Sequence, residues 1–203
     1  MYNVNVFCFG FGQVAKNFIN KLKLENFNVN LSTTSRKKTH TKKINNINYT
    51  SFQFNEDNYD IKLIEKLKKS NYILVSIPPS EGTDLVVKNF SEIIENSEVK
   101  WITYLSATSV YGDHEGSWVN EESVLNPTTP NGLNRISAEK LWLSLCSVKK
   151  LPLQIFRLSG IYSNENNILF RLKSGNVKIV KKKNHFFSRV HVEDIANILF
   201  KSL

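Results

Sequence analysis

Residues 4–15 read Val4-Asn5-Val6-Phe7-Cys8-Phe9-Gly10-Phe11-Gly12-Gln13-Val14-Ala15. Val4 to Phe9 is a short apolar run of the kind a buried strand requires. Beyond the glycines, Ala15, Phe18, Ile19 and Leu22 recur at i, i+3, i+4 and i+7, the period of an amphipathic helix. Strand, glycine turn and helix in that order are the setting in which G-x-G-x-x-G/A cradles a diphosphate. Gly10 permits the tight turn, Gly12 lets the backbone approach the phosphates, and Ala15 is small enough for close helix–strand packing. The first turn of the helix adds free N–H groups and a partial positive charge. The plain alternative is a tight glycine turn with no ligand. The site reading assigns Gly10, Phe11, Gly12, Gln13 and Val14 to a dinucleotide cofactor.

Strands and helices alternate from there outward. Phe27-Val29-Leu31 alternates as a second strand, Ser32 to Lys43 is polar and basic and reads as a loop, and a third strand is expected from about Ile47 to Phe54. Ile61, Ile64 and Leu67 mark a helix. Tyr72 to Ile77 reads as a buried strand stopped by Pro78-Pro79, since proline cannot donate to a ladder. Leu85 to Ile94 is helical, Trp101 to Leu105 a strand, and Asp113 to Pro130 turn-rich. Ala138, Leu141, Trp142 and Leu145 form another helical stripe. Leu153 to Leu158 is the sixth strand, Val177 to Val180 a short seventh, and a last helix starts near Glu193. This alternation predicts βαβ units, a parallel sheet and helices on both faces.

The end of the second strand bears on which dinucleotide binds. An NAD site usually places Asp or Glu about 20 residues past the glycines to hold the ribose 2′-hydroxyl. Leu31-Ser32-Thr33-Thr34-Ser35-Arg36-Lys37-Lys38 has no carboxylate. Thr34 and Ser35 can donate hydrogen bonds and Arg36 can fork onto a 2′-phosphate. The expectation is NADP(H) rather than NAD, against the alternative of a solvated basic loop.

Composition sets the outer bounds. At 203 residues, 41% hydrophobic and 22% charged, the chain can bury a core and is neither a disordered nor a membrane-embedded sequence. The net charge of +9 favours anionic partners, but an excess of Asn, Lys and Ile points to coding bias, so the raw charge is discounted. Cys8 and Cys146 form no CxxC and no disulfide framework, and no signal-peptide pattern opens the chain. A reduced, cytoplasmic protein is expected.

Further along come Tyr104-Leu105-Ser106-Ala107-Thr108-Ser109-Val110-Tyr111-Gly112, Gly116-Ser117-Trp118-Val119-Asn120-Glu121, Pro130 to Glu139, Phe156 to Tyr162, and Arg189-Val190-His191-Val192-Glu193-Asp194. Together these resemble the extended and atypical short-chain dehydrogenases/reductases, above all bacterial NAD-dependent epimerase/dehydratase-like and nucleoside-diphosphate-sugar epimerase-like proteins. The resemblance covers nearly the whole chain. It implies a Rossmann fold with strand order 3-2-1-4-5-6, Ser76-Ile77-Pro78 lining the cofactor cleft, and Leu158-Ser159-Gly160 near the nicotinamide. It also implies a Rossmann core over residues 1–162 and a partial substrate-side region over 163–203 within the same domain. The resembled families continue past the last helix with a region that covers the substrate, so a truncated or minimal version is expected.

The departures bear on catalysis. Active relatives carry a Ser or Thr after strand five and a Tyr-x-x-x-Lys pair on the next helix. Here Asn131 stands at the Tyr position, Arg135 at the Lys position, and Ala107 at the Ser position. Asn131 cannot exchange a proton near neutral pH. Arg135 can hold a ribose hydroxyl but cannot shuttle protons. Thr108, Tyr111 and Arg135 are the residues assigned to the reacting end, with Tyr111, Tyr162 or an acid brought by the substrate as alternatives for the missing proton donor. Two readings follow: an NADP(H)-dependent oxidoreductase or epimerase acting on a small carbonyl or nucleotide-sugar substrate, and a non-catalytic NADP(H)-binding redox sensor.

Other features read blandly. The four histidines lack zinc spacing. His191 with Asp194 ties the last helix to the sheet, and Trp118 fits a substrate cleft or a core equally well. The Trp142 stripe fits a homodimer helix bundle or ordinary packing. Lys37-Lys38 and Lys181-Lys182-Lys183 come without a nucleic-acid signature, so neither nucleic acid nor membrane is an expected partner.

Overall fold

The computed structural model describes residues 2–175 and 186–203. Its centre is β1 (Asn3–Phe9), where Phe7, Cys8 and Phe9 are fully buried. Burial on both faces is what a parallel sheet covered by two helical layers demands. Side chains alternate across the pleat. Phe7 and Phe9 therefore join one core, and Val4, Val6 and Cys8 another.

The remaining strands are β2 (Asn28–Ser35), β3 (His40–Ile44), β4 (Ile47–Gln53), β5 (Tyr72–Val75), β6 (Trp101–Ala107) and β7 (Leu153–Leu158). They form one sheet in the order β3-β4-β2-β1-β5-β6-β7, parallel except for β3. Without β3 this is the predicted 3-2-1-4-5-6 order. The right-handed crossover preference of parallel strands leaves few other solutions.

One layer packs α2 (Lys62–Lys68), α3 (Leu85–Glu95) and α4 (Pro130–Lys149) on the sheet through Leu63, Leu67, Phe90, Ile94, Trp142 and Leu145. The other packs α1 (Gln13–Leu24) and α6 (Val192–Lys201) through Phe18, Ile19, Leu22, Ile195 and Leu199. Phe90 carries much of the first core. Its ring lies 5.5 Å from Phe9, 5.2 Å from Phe54 and 5.0 Å from Tyr59. On the far side the Trp101 indole N–H donates to Ser202 Oγ at 3.1 Å, fixing the end of α6 beneath the sheet.

Two expectations need correction. The stretch 32–43 is not all loop: β2 continues to Ser35, and His40–Ile44 is the seventh strand, antiparallel to β4. The turn between them is Asn45-Asn46, both at positive φ (44° and 65°), the two-residue chemistry a tight hairpin requires. Lys42 and Lys43, two of the lysines that made the segment look like loop, sit on an exposed edge strand, where charge discourages pairing with other chains. In α2 the buried positions are Leu63 and Leu67, while Ile61 is exposed at the helix start. Val177–Val180 lies outside the described residues.

A separate pair, β8 (Gly160–Tyr162) and β9 (Arg189–His191), runs parallel beyond the tip of β7 and leads into α6. His191 Nδ1 accepts from the Glu193 amide at 3.4 Å, and its ring packs on Tyr162 at 5.0 Å. The histidine thus caps the last helix through Glu193 rather than Asp194. No helix among the described residues is long and apolar enough to cross a membrane.

Candidate functional site

The carboxyl ends of β1, β2, β5, β6 and β7 border a cleft of about 1000 Å³. Open α/β sheets bind ligands at this edge. Gly10 turns at φ +83°, and a Cβ there would lie 2.8 Å from both Ile77 Cγ2 and Ser76 Oγ. The Gly10 amide donates to Thr34 Oγ1 at 2.9 Å, and the Ser76 hydroxyl donates to the Phe9 carbonyl at 3.0 Å. The tails of three strands are thereby tied to one glycine. Gly12 is the N-cap of α1 with no side chain over the helix end, and a Cβ placed on it meets nothing within 4 Å. The N–H groups at the start of α1 face open space. That is the cradle a diphosphate requires.

Ser35, Arg36, Phe54, Asn55, Glu56 and Asp57 line the end of the cleft beyond β2 and β4. Ser35 Oγ is buried and has no hydrogen-bond partner. Thr34 also lines the cleft but is 2% exposed with its hydroxyl accepting from Gly10. It props the glycine turn as an acceptor, and its own proton is not used by that bond. The sequence reading placed Phe54 at the end of the third strand and gave Asn55, Glu56 and Asp57 no role. Their signal was the Asn55 turn, whose Oδ1 accepts from the amides of Asp57 and Asn58, both at 3.0 Å.

Ser76, Ile77, Pro78, Leu105, Ser106, Ala107, Arg135, Leu158 and Ser159 line the other end. Arg135 donates to the Leu105 carbonyl, and its guanidinium lies 6.0 Å from the centre of the Tyr104 ring. Ser106 donates to Glu139 Oε1 at 2.5 Å. Glu139, 3% exposed, is gripped by Arg157 through Nη2 at 2.8 Å and Nε at 3.2 Å to both carboxylate oxygens. Arg157 also donates to Tyr111 Oη at 3.1 Å. The bond to Glu139 pushes the guanidinium pKa further up. Behind this wall, Asp84 caps α3 by accepting from the amides of Val86 and Val87 at 2.9 and 3.1 Å. Burial raises its carboxyl pKa above the ordinary range.

Several assigned residues lie elsewhere. Thr108 and Tyr111 border a different groove, beside the edge strand β7, because the chain turns away through a short 3-10 turn at Thr108–Val110. Tyr111 is 7% exposed with its hydroxyl bonded to Arg157, so it is a structural residue. Gly160 is outside the cleft, pressed against the Arg189 side chain. Asn131 sits exposed on the first turn of α4. Trp118 is fully exposed and Trp142 fully buried. His114 bonds to the carbonyls of Tyr111 and Val124 at 3.1 Å each and serves the loop. Burial raises the Cys8 thiol and lifts Cys146 to about 11, so neither is a thiolate near neutrality.

A doubly wound parallel sheet, a glycine turn at its first strand and an open helix end define a Rossmann-type α/β fold. Comparison with solved structures agrees. A functionally unknown conserved protein from Silicibacter pomeroyi DSS shares 28% identity, with a TM-score of 0.79 over 100% of this chain and 68% of that one. MoeE5 in complex with UDP-glucose and NAD shares 17%, with a TM-score of 0.75 over 98% and 71% of the two chains. A UDP-N-acetylglucosamine 4-epimerase from Bacillus cereus shares 16%, with a TM-score of 0.71 over 100% and 73%. No family model and no curated protein matches the chain. The chain shares the doubly wound fold of these structures, two of them nucleotide-sugar proteins.

Proposed function

We propose that the cleft binds a nicotinamide dinucleotide, NADP(H) in preference to NAD(H), and that the protein is an oxidoreductase or epimerase of a small carbonyl or nucleotide-sugar substrate. The single observation carrying this reading is the open N-terminus of α1 above Gly12, with Gly10 locked by Thr34. The residues fit the cofactor. Gly10, Phe11, Gly12, Gln13 and Val14 would hold the diphosphate, and Ser35 with Arg36 the adenosine ribose. Arg135 would hold the nicotinamide ribose, with Ile77, Pro78, Leu158 and Ser159 against the ring. Bound there, the cofactor supplies hydride transfer. The preference for NADP(H) rests on the unpartnered Ser35 hydroxyl, the Arg36 fork and the lack of a carboxylate at 31–38. The MoeE5 neighbour carries NAD, so the preference is this chain's own departure.

A second reading, a redox sensor that binds NADP(H) without turnover, draws on one observation. Among the described residues, the wall from Leu105 to Ser159 presents Ser106, Arg135 and Ser159 as its polar side chains and carries no tyrosine, histidine or lysine. Fluorescence titration with NADPH and NADH tests the cofactor. NADPH is expected to bind more tightly and Arg36→Ala to lose that advantage. Tighter NADH, or unchanged NADPH affinity in the variant, defeats the preference. Turnover of NADPH against a panel of carbonyls and nucleotide sugars decides between enzyme and sensor.

A further inference from the structure

Ser106 was passed over in the sequence because the family serine aligns with Ala107, yet the structure gives it an unusual setting. It is 3% exposed, lies in the wall of the cleft, and sits one residue from the carbonyl that holds Arg135. Its hydroxyl has one proton and two lone pairs. A carboxylate accepts and does not donate, so the 2.5 Å contact with Glu139 is made with the serine's own proton. Glu139 has no freedom to turn away, because the Arg157 fork engages both of its oxygens. Buried on α4 behind β6, it holds the Ser106 proton away from the cleft.

We propose that Ser106, its proton committed to Glu139, is a hydrogen-bond acceptor that selects a ligand hydroxyl over the corresponding carbonyl at the reacting end of the cleft. The polarity is opposite to that of a serine that donates to a substrate carbonyl. A ligand alcohol donates into a Ser106 lone pair. A ligand ketone has no proton to offer and brings its own lone pairs against the serine's. Ala107, one residue on, contributes only a methyl group and cannot restore a donor. Glu139 acts through Ser106 and is a positioning residue.

The isosteric change Glu139→Gln inverts the arrangement. Arg157 Nη2 and Nε both reach Oε2, so the glutamine oxygen takes that position, while its amide at the Oε1 position gives up the Nε contact and donates towards Ser106. The serine proton is released to the cleft, and the preferred ligand becomes the carbonyl.

The sugar arm of the test rests on the nucleotide-sugar reading above. Binding of UDP-6-deoxyglucose and UDP-4-keto-6-deoxyglucose is measured by calorimetry in the wild type, Glu139→Gln and Ser106→Ala. An unmatched polar pair in a site built for a hydrogen bond costs on the order of tenfold or more in affinity. The alcohol is therefore expected to bind about tenfold more tightly to the wild type. Glu139→Gln should reverse the order, and Ser106→Ala should abolish the difference. Merely loosened packing would weaken both sugars alike. Equal affinities in the wild type, or an unreversed order in a folded Glu139→Gln, overturn the proposal. Should Glu139→Gln not fold, loss of discrimination in Ser106→Ala decides it. Should neither sugar bind, the nucleotide-sugar reading fails, and cyclohexanol against cyclohexanone by saturation-transfer NMR carries the same test, with the same reversal required.

Discussion

Gly10 and Gly12 are two residues apart, and the structure gives them separate duties that one pair of substitutions can resolve. Gly10 stands at φ +83°, and a methyl group there would lie 2.8 Å from Ile77 Cγ2 and from Ser76 Oγ. Left-handed backbone costs a non-glycine residue roughly 1–2 kcal/mol. The clash adds about 1–3 kcal/mol, typical of overpacking in a well-packed region. Gly10→Ala should therefore lower unfolding free energy by roughly 2–5 kcal/mol. Gly12 is at φ −81° and ψ −169°, a conformation open to any residue, and its added methyl meets nothing within 4 Å. Gly12→Ala should change stability by no more than about 1 kcal/mol, since the gain through the unfolded chain is opposed by alanine's weaker N-cap preference. The same methyl would stand where the diphosphate approaches. NADPH affinity is expected to fall on the order of tenfold or more, since an anion pushed off the α1 amides loses charge-assisted hydrogen bonds. Urea melts give the first quantity and fluorescence titration the second. Equal destabilisation by both changes, or full NADPH affinity in Gly12→Ala, refutes the division of labour.

Three further outcomes follow from the same geometry. Thr34→Val removes the acceptor for the Gly10 amide and should cost about 1–3 kcal/mol in a urea melt, with weaker NADPH binding. Phe90→Ala opens a void among Phe9, Phe54 and Tyr59 and should cost about 3–5 kcal/mol, read from the same denaturation curves. The pKa of Asp84 is raised on folding by burial, so the folded state holds its proton more tightly than the unfolded chain. Its contribution to stability is complete below the unfolded value and is lost as pH rises through the folded one. The stability difference between wild type and Asp84→Asn should therefore shift against the wild type from pH 3 to 7. A flat or rising difference contradicts that account.

The fold was readable because its signals are local. The apolar run of β1, the glycine turn and the α1 stripe each depend on residues within one or two turns of chain. The order of the six parallel strands then follows from crossover handedness. The β3 hairpin was hidden because its identity lies in two left-handed asparagines and an edge position, neither of which shows in a hydrophobic pattern. The strand-tip residues that line the cleft were legible for the same reason as β1: strand tips follow directly from strand ends. The reacting end was not. Tyr111 directly follows a 3-10 turn and points to Arg157, and Thr108 leaves with it. Ser106 gains its role from Glu139, 33 positions away, a relation that no spacing rule exposes.

Thr34 couples recognition to architecture. The segment proposed to face the adenosine ribose also props, through Thr34, the loop expected to carry the diphosphate, so nucleotide preference and turn geometry share one short stretch of chain. Grafting an acidic NAD-type segment over positions 34–36 would remove that prop together with the guanidinium. A retargeted variant needs a hydroxyl kept at 34 while 35 and 36 are exchanged. A graft that ignores this would lose both nucleotides at once.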